Sequence, residues 1–184
     1  KILIHKLKVS KKIKKTDFEK LIKKNEFKNT KNLVIGGTRG LGLITTKILL
    51  AGNGQVYTTY RKDKKNLEKD LENFKYNKKN FIKLNILSNN NYKELNKTDA
   101  KNIFYFPTPK IFIKKNNQYD DQNFNNFNKY YIKEFYKLCE YYENKKKNVK
   151  IFYPSSTSVL NRPLSMTEYS MSKMSSEILI QDIN

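Results

Sequence analysis

The chain has 184 residues, enough for one domain with its own core. Its formal charge is +21, but arginine occurs only at Arg39, Arg61 and Arg162. A surface built to track phosphates concentrates its charge and favours arginine. Lysine spread along a chain rich in asparagine and tyrosine is a compositional bias, so nucleic-acid binding is not expected as the main role.

No apolar run is long enough to span a bilayer, and no membrane partner is expected. The single cysteine, Cys139, allows no internal disulfide and fits a reducing compartment, which makes the cytoplasm the expected location. On a predicted helix it reads as a small buried hydrophobe.

Residues 1–30 are lysine-rich and read as an arm or linker; residues 31–184 read as the domain. "NLVIGG" is an apolar run ending in glycine, the pattern of a buried parallel strand. "LGLITTKILLAG" follows with helical periodicity and stops at Gly52, read as the C′ residue. "QVYTTY" is a second strand, "KNLEKDLENF" a charged helix and "FIKLNI" a third strand. "NIFYF" is a fourth strand, stopped by Pro107, and a long helix runs from Phe124 to Tyr142. "VKIFYP" is a fifth strand, and a last helix spans Thr167 to Ile183. The asparagine-rich stretches Asn89–Asn91 and Asn116–Asn126 read as loops. Alternating strands and helices predict an α/β, Rossmann-type, doubly wound parallel sheet of order 3-2-1-4-5.

Between the first strand and its helix stands "GGTRGLG", with Gly36, Gly40 and Gly42 in register. Glycine there permits positive φ and close approach of a ligand, and the helix N-terminus offers N–H groups to a pyrophosphate. No Gly-Lys-Ser/Thr follows, which excludes a P-loop, and Thr45 stands where the strict Gly-x-Gly-x-x-Gly pattern has its third glycine. Near the end stands "YSMSK", which sets Tyr169 and Lys173 one helical turn apart. The same spacing recurs at Tyr60/Lys64, Tyr141/Lys145 and Tyr142/Lys146, so spacing alone singles out none of the four.

Together these segments resemble classical short-chain dehydrogenases/reductases (SDRs) over residues 31–183. The glycine turn is similar to the family's Thr-Gly-x-x-x-Gly-x-Gly, with Ile35 in place of threonine. The family's catalytic serine follows the fifth strand, 13 residues before its tyrosine. Ser156 in "YPSSTS" stands 13 before Tyr169, whereas Lys47, Asn128 and Lys129 stand 13 before the other three tyrosines. The resemblance implies a catalytic set of Asn128, Ser156, Tyr169 and Lys173. Two departures stand out. "FPTPKI" replaces the Asn-Asn-Ala-Gly usual after the fourth strand. The sequence also closes after the Tyr-x-x-x-Lys helix, where the family continues into further strands and a substrate-covering loop, so a fragment is expected.

A free phenol titrates near pH 10, and an ammonium one turn away favours its ionised form. The resemblance implies Tyr169 as proton donor, Lys173 as its tuner and ribose contact, Ser156 as the group orienting a carbonyl, and Asn128 as a water anchor. The cofactor contacts would be Gly36, Thr38, Arg39, Gly40, Leu41, Gly42, Arg61, Asn85, Tyr169 and Lys173, with no metal. The second strand ends "TTYRKD", with Tyr60 where NAD-preferring sites have an acid; Arg61 and Arg39 suit a 2′-phosphate, hence NADP(H) over NAD(H). The expected reaction is NADPH-dependent reduction of a small carbonyl, or the reverse alcohol oxidation, with a homo-oligomer compatible with a longer chain. The alternatives are a non-catalytic nucleotide-binding or regulatory Rossmann module and, third, a lysine-driven nucleic-acid binder.

Overall fold

A computed structural model describes residues 20–62, 64–88, 91–112 and 119–183. Its elements are β1 (Lys31–Ile35), α1 (Gly40–Ala51), β2 (Gln55–Tyr60), α2 (Lys65–Asp70), β3 (Phe81–Lys83), β4 (Asn102–Tyr105), α3 (Asp121–Asn128), α4 (Glu134–Asn144), β5 (Lys150–Phe152), α5 (Ser158–Asn161) and α6 (Thr167–Ile183). The five strands form one parallel sheet of order β3-β2-β1-β4-β5, as the alternation of elements implied. Every strand therefore ends at the same edge.

β1 is central, and Leu33, Val34 and Ile35 are wholly buried. Side chains alternate across a strand. Leu33 and Ile35 join Ile103, Tyr105, Phe135 and Leu138 on one face. Val34 joins Leu49, Leu50, Val56, Leu67 and Leu71 on the other. A continuous apolar run is what a strand covered on both faces requires. Asn32 is the buried polar exception. Its Nδ2 donates to Thr30 Oγ1 at 2.8 Å and to the Gln55 carbonyl at 3.2 Å, and its Oδ1 accepts from Asn102 Nδ2 at 3.1 Å. That chain of bonds staples β2, β1 and β4 together.

Several local expectations are corrected. Helix α1 does stop at Gly52, but Gly52 has φ −85°; the left-handed residue is Asn53, at φ +62°. The Asn53 N–H donates to the Leu50 carbonyl at 3.1 Å and the Gly54 N–H to that of Leu49 at 2.8 Å, a Schellman closure. Gly52 is small for another reason: a Cβ there would lie 2.3 Å from the Phe27 ring. Phe27 and Ile22 pack on the α1 face, and the Phe27 N–H donates to the Gly52 carbonyl at 2.8 Å. The described part of the leading stretch, residues 20–30, thus lies against the sheet's cover; residues 1–19 lie outside the described residues. The second asparagine-rich stretch is helical from Asp121, because the Asp120 carboxylate caps the Asn123 N–H at 2.8 Å. Asn89, Asn90 and residues 116–118 lie outside the described residues.

The long helix expected before β5 is broken by a π turn, Lys129–Lys133, between α3 and α4. Such a turn loosens the i→i−4 ladder and leaves carbonyls to find other donors. Tyrosine hydroxyls supply them: Tyr105 donates to the Tyr130 carbonyl at 2.6 Å, Tyr153 to that of Tyr131 at 3.3 Å, and Tyr92 to that of Glu134 at 2.7 Å. Cys139 is half-buried against this core, and burial pushes its thiol up to about 11, where it is inert at neutral pH.

Candidate active site

The glycine turn lies at the C-terminal edge of β1, where the chain order reverses between β2 and β4. Gly36 has φ +80° and Gly40 φ +54°, both in the left-handed region that favours glycine. A Cβ on Gly36 would lie 3.2 Å from the backbone of Phe106 and Pro107, so the turn is pressed against the end of β4. A Cβ on Gly42 would lie 2.3 Å from the Gly36 carbonyl oxygen, so this glycine lets α1 start flush on the strand. Above Gly40 a Cβ would meet nothing within 4 Å. The N-cap residue Arg39 makes no side-chain cap, leaving the helix's first N–H groups to an outside acceptor. An open space over uncapped N–H groups fits a pyrophosphate. Thr38 is half-buried in the turn; Arg39 and Leu41 are exposed. Arg61 is exposed at the end of β2, on the same edge. Asn85 is exposed, and its Oδ1 accepts from the Leu87 N–H of its own loop at 3.3 Å.

The other candidates come from the β5 loop, the π turn and α6. Ser156 follows β5, and its Oγ accepts both from the Ser158 N–H at 3.2 Å and from the Ser158 hydroxyl at 2.9 Å. With its lone pairs engaged, its own proton is the part left to offer a substrate oxygen. Tyr169 is buried, packed edge-on against Phe127 and Tyr131 at ring-centroid distances of 5.5 and 5.8 Å. Asn128 is the last residue before the π turn, and its Oδ1 accepts from Ser172 Oγ on α6 at 2.8 Å. Ser172 and Ser176 are wholly buried, which lets α6 close on its neighbours.

Lys173 lies one turn beyond Tyr169 and is 4% exposed. Its Nζ donates to the Pro154 carbonyl at 2.7 Å, just before Ser156. Burial pulls its ammonium down to about 7, while Glu177 opposes that fall. The amine is thus divided between charged and neutral forms at neutrality. The structure gathers Asn128, Tyr169 and Lys173 on the contact between α6 and the π turn, with Ser156 two residues beyond the carbonyl that holds Lys173. Tyr131, Tyr153, Pro154, Ser158 and Ser172 complete this neighbourhood without having been foreseen. Tyr153, Pro154 and Ser158 flank Ser156 and Ser172 adjoins Lys173, but only the fold brings these segments to Tyr131 and to one another.

No family model matches the chain, and neither does any curated protein. Solved structures do. A short-chain dehydrogenase/reductase family protein superimposes with a TM-score of 0.66 at 17% identity, covering 84% of this chain and 66% of its own. The fold is that of the short-chain dehydrogenases/reductases. FolM alternative dihydrofolate reductase 1 from Brucella suis, in complex with NADP, matches with a TM-score of 0.63 at 12% identity, over 82% of this chain and 64% of its own. A short chain dehydrogenase from Bacillus anthracis matches with a TM-score of 0.63 at 11% identity, over 80% of this chain and 66% of its own. The chain thus spans about two thirds of the length of the SDR structures it matches.

Proposed function

We propose that this chain is the cofactor-binding and catalytic part of an NADPH-dependent SDR oxidoreductase acting on a small carbonyl or alcohol. The observation that carries the reading is the open, uncapped glycine turn at the same sheet edge as the β5 loop that receives Lys173. The turn's N–H groups would hold the pyrophosphate. Arg61 and Arg39 would pair with the 2′-phosphate, since β2 closes on Tyr60 without an acid. Lys173 would hold the ribose. The cofactor, when bound, supplies the hydride. Ser156 donates its proton in a hydrogen bond to the substrate oxygen and fixes its direction. Tyr169 transfers its phenolic proton to that oxygen as negative charge develops there. Lys173, in its charged form, stabilises the phenolate left behind.

Titration calorimetry tests the cofactor assignment. NADPH should bind at least tenfold more tightly than NADH, and Arg61→Asp should narrow the gap; equal affinities in the wild type would overturn the 2′-phosphate assignment. With NADPH and a reactive diketone, Tyr169→Phe should abolish turnover and leave NADPH affinity nearly intact, because the phenol acts on the transition state. Full activity in that variant would remove Tyr169 from the chemistry.

A further inference from the structure

The Lys173 amine is enclosed by groups that its proposed role does not use. Besides the Pro154 carbonyl, its Nζ lies 4.2 Å from the Tyr131 ring centroid and 4.3 Å from that of Tyr153. The two rings come from the π turn and from the residue after β5, so the enclosure exists only in the folded chain. Each ring is held by its own hydroxyl. Tyr131 bonds to Thr108 in the loop after β4, and Tyr153 donates to the Tyr131 carbonyl. Neighbouring rings fix the planes further: Phe127 stacks on Tyr131, and Phe135 meets Tyr153 edge-on at 4.5 Å. A cation within about 6 Å of an aromatic face is attracted by the ring quadrupole, most strongly where water is excluded.

We propose that Tyr131 and Tyr153 are positioning residues that clasp the Lys173 amine between their faces and favour its charged form in the cleft. Burial raises both phenols well above their ordinary value, so at neutral pH they are uncharged and act through their π systems. The formal charge facing the amine is Glu177, one turn further along α6; Tyr169 and Tyr130 are the remaining titratable side chains of the cluster among the described residues. Because Thr108 holds Tyr131, the β4 loop and the lysine are mechanically joined. The clasp stands on the packing of Lys173 against Tyr131, Tyr153 and Pro154; its bearing on the cofactor rests on the function proposed above.

The test keeps shape and removes quadrupole. Position 153 is replaced by phenylalanine and then by tri- and pentafluorophenylalanine, and the Lys173 side-chain resonance is titrated by NMR, assigned by its loss in Lys173→Met. Tyr153→Phe should leave the midpoint within a few tenths of a pH unit, and stepwise fluorination should lower it by about one unit in all. The same series at position 131 should give the same trend. A midpoint that ignores fluorination, or rises with it, overturns the proposal. NADPH affinity measured at pH 7 on the same proteins separates the two readings. A parallel several-fold weakening supports both. A falling midpoint with unchanged affinity supports the clasp and overturns only the assignment of Lys173 to the cofactor; a falling midpoint with no binding in the wild type supports the clasp and overturns the cofactor reading as a whole.

Discussion

Lys173 buries an amine beside two phenols and a carbonyl, and burial has a sign that stability can report. The unfolded chain holds this proton to about pH 10.5, whereas the folded chain releases it near 7. Below pH 7 both states are protonated and the cost of burying the charge is constant and complete. Between pH 7 and 10.5 the unfolded state binds more protons, so stability rises with pH. Lys173→Met should lose this rise. Urea midpoints compared from pH 6 to 9 check it, and parallel curves for the two proteins would refute it. Ser156, Tyr169 and Lys173 could be picked out as candidates in the sequence because their order and spacing are one-dimensional. The clasp could not be, because Tyr131, the Tyr153-Pro154 pair and Lys173 meet only through tertiary packing. The tyrosines that cap the π-turn carbonyls were hidden for the same reason: nothing local marks Tyr105 as the partner of Tyr130.

The glycine turn separates two roles that a motif lumps together. Gly42 is excluded from any side chain by the backbone of Gly36, whereas Gly40 has open space and an unusual φ. Gly42→Ala should therefore displace α1 from β1 and destabilise the fold by about 2–4 kcal/mol. Gly40→Ala should cost about 1 kcal/mol of backbone strain yet weaken NADPH binding at least tenfold, since its methyl enters the space proposed for the pyrophosphate. Thermal melts and calorimetry on both variants check this; equal loss of stability would contradict the division. At this scale β1 could be read in advance because a buried parallel strand is an apolar run, and β2 because it is β-branched and aromatic. Helix ends were less legible. Gly52 is required by the Phe27 ring, far back in the chain, while Asn53 takes the left-handed position, and α3 forms in poor helix-forming sequence because Asp120 caps it.

The whole molecule carries +21 charges, and they repel one another in the compact state. Raising sodium chloride from about 20 to 300 mM shortens the screening length from roughly 20 Å to under 10 Å. The urea midpoint should rise over that range, and a midpoint that falls would mean that attractive pairs outweigh the excess. The described ion pairs at Lys31–Asp99, Lys64–Glu68, Lys97–Glu94 and Lys137–Glu134 are mostly exposed and contribute little each.

The strand order also sets a timetable. β1, the middle of the sheet, is made first; β2 is finished at Tyr60, but β4 begins only at Asn102. At about 5–20 residues per second on the ribosome, the intervening stretch takes roughly 2–8 s to emerge. Through that interval one rim of Asn32–Ile35 has no strand beside it, and its backbone groups could recruit the same rim of another nascent chain. Neighbouring polypeptides on a polysome carry the same lysine excess, and like charge opposes that encounter.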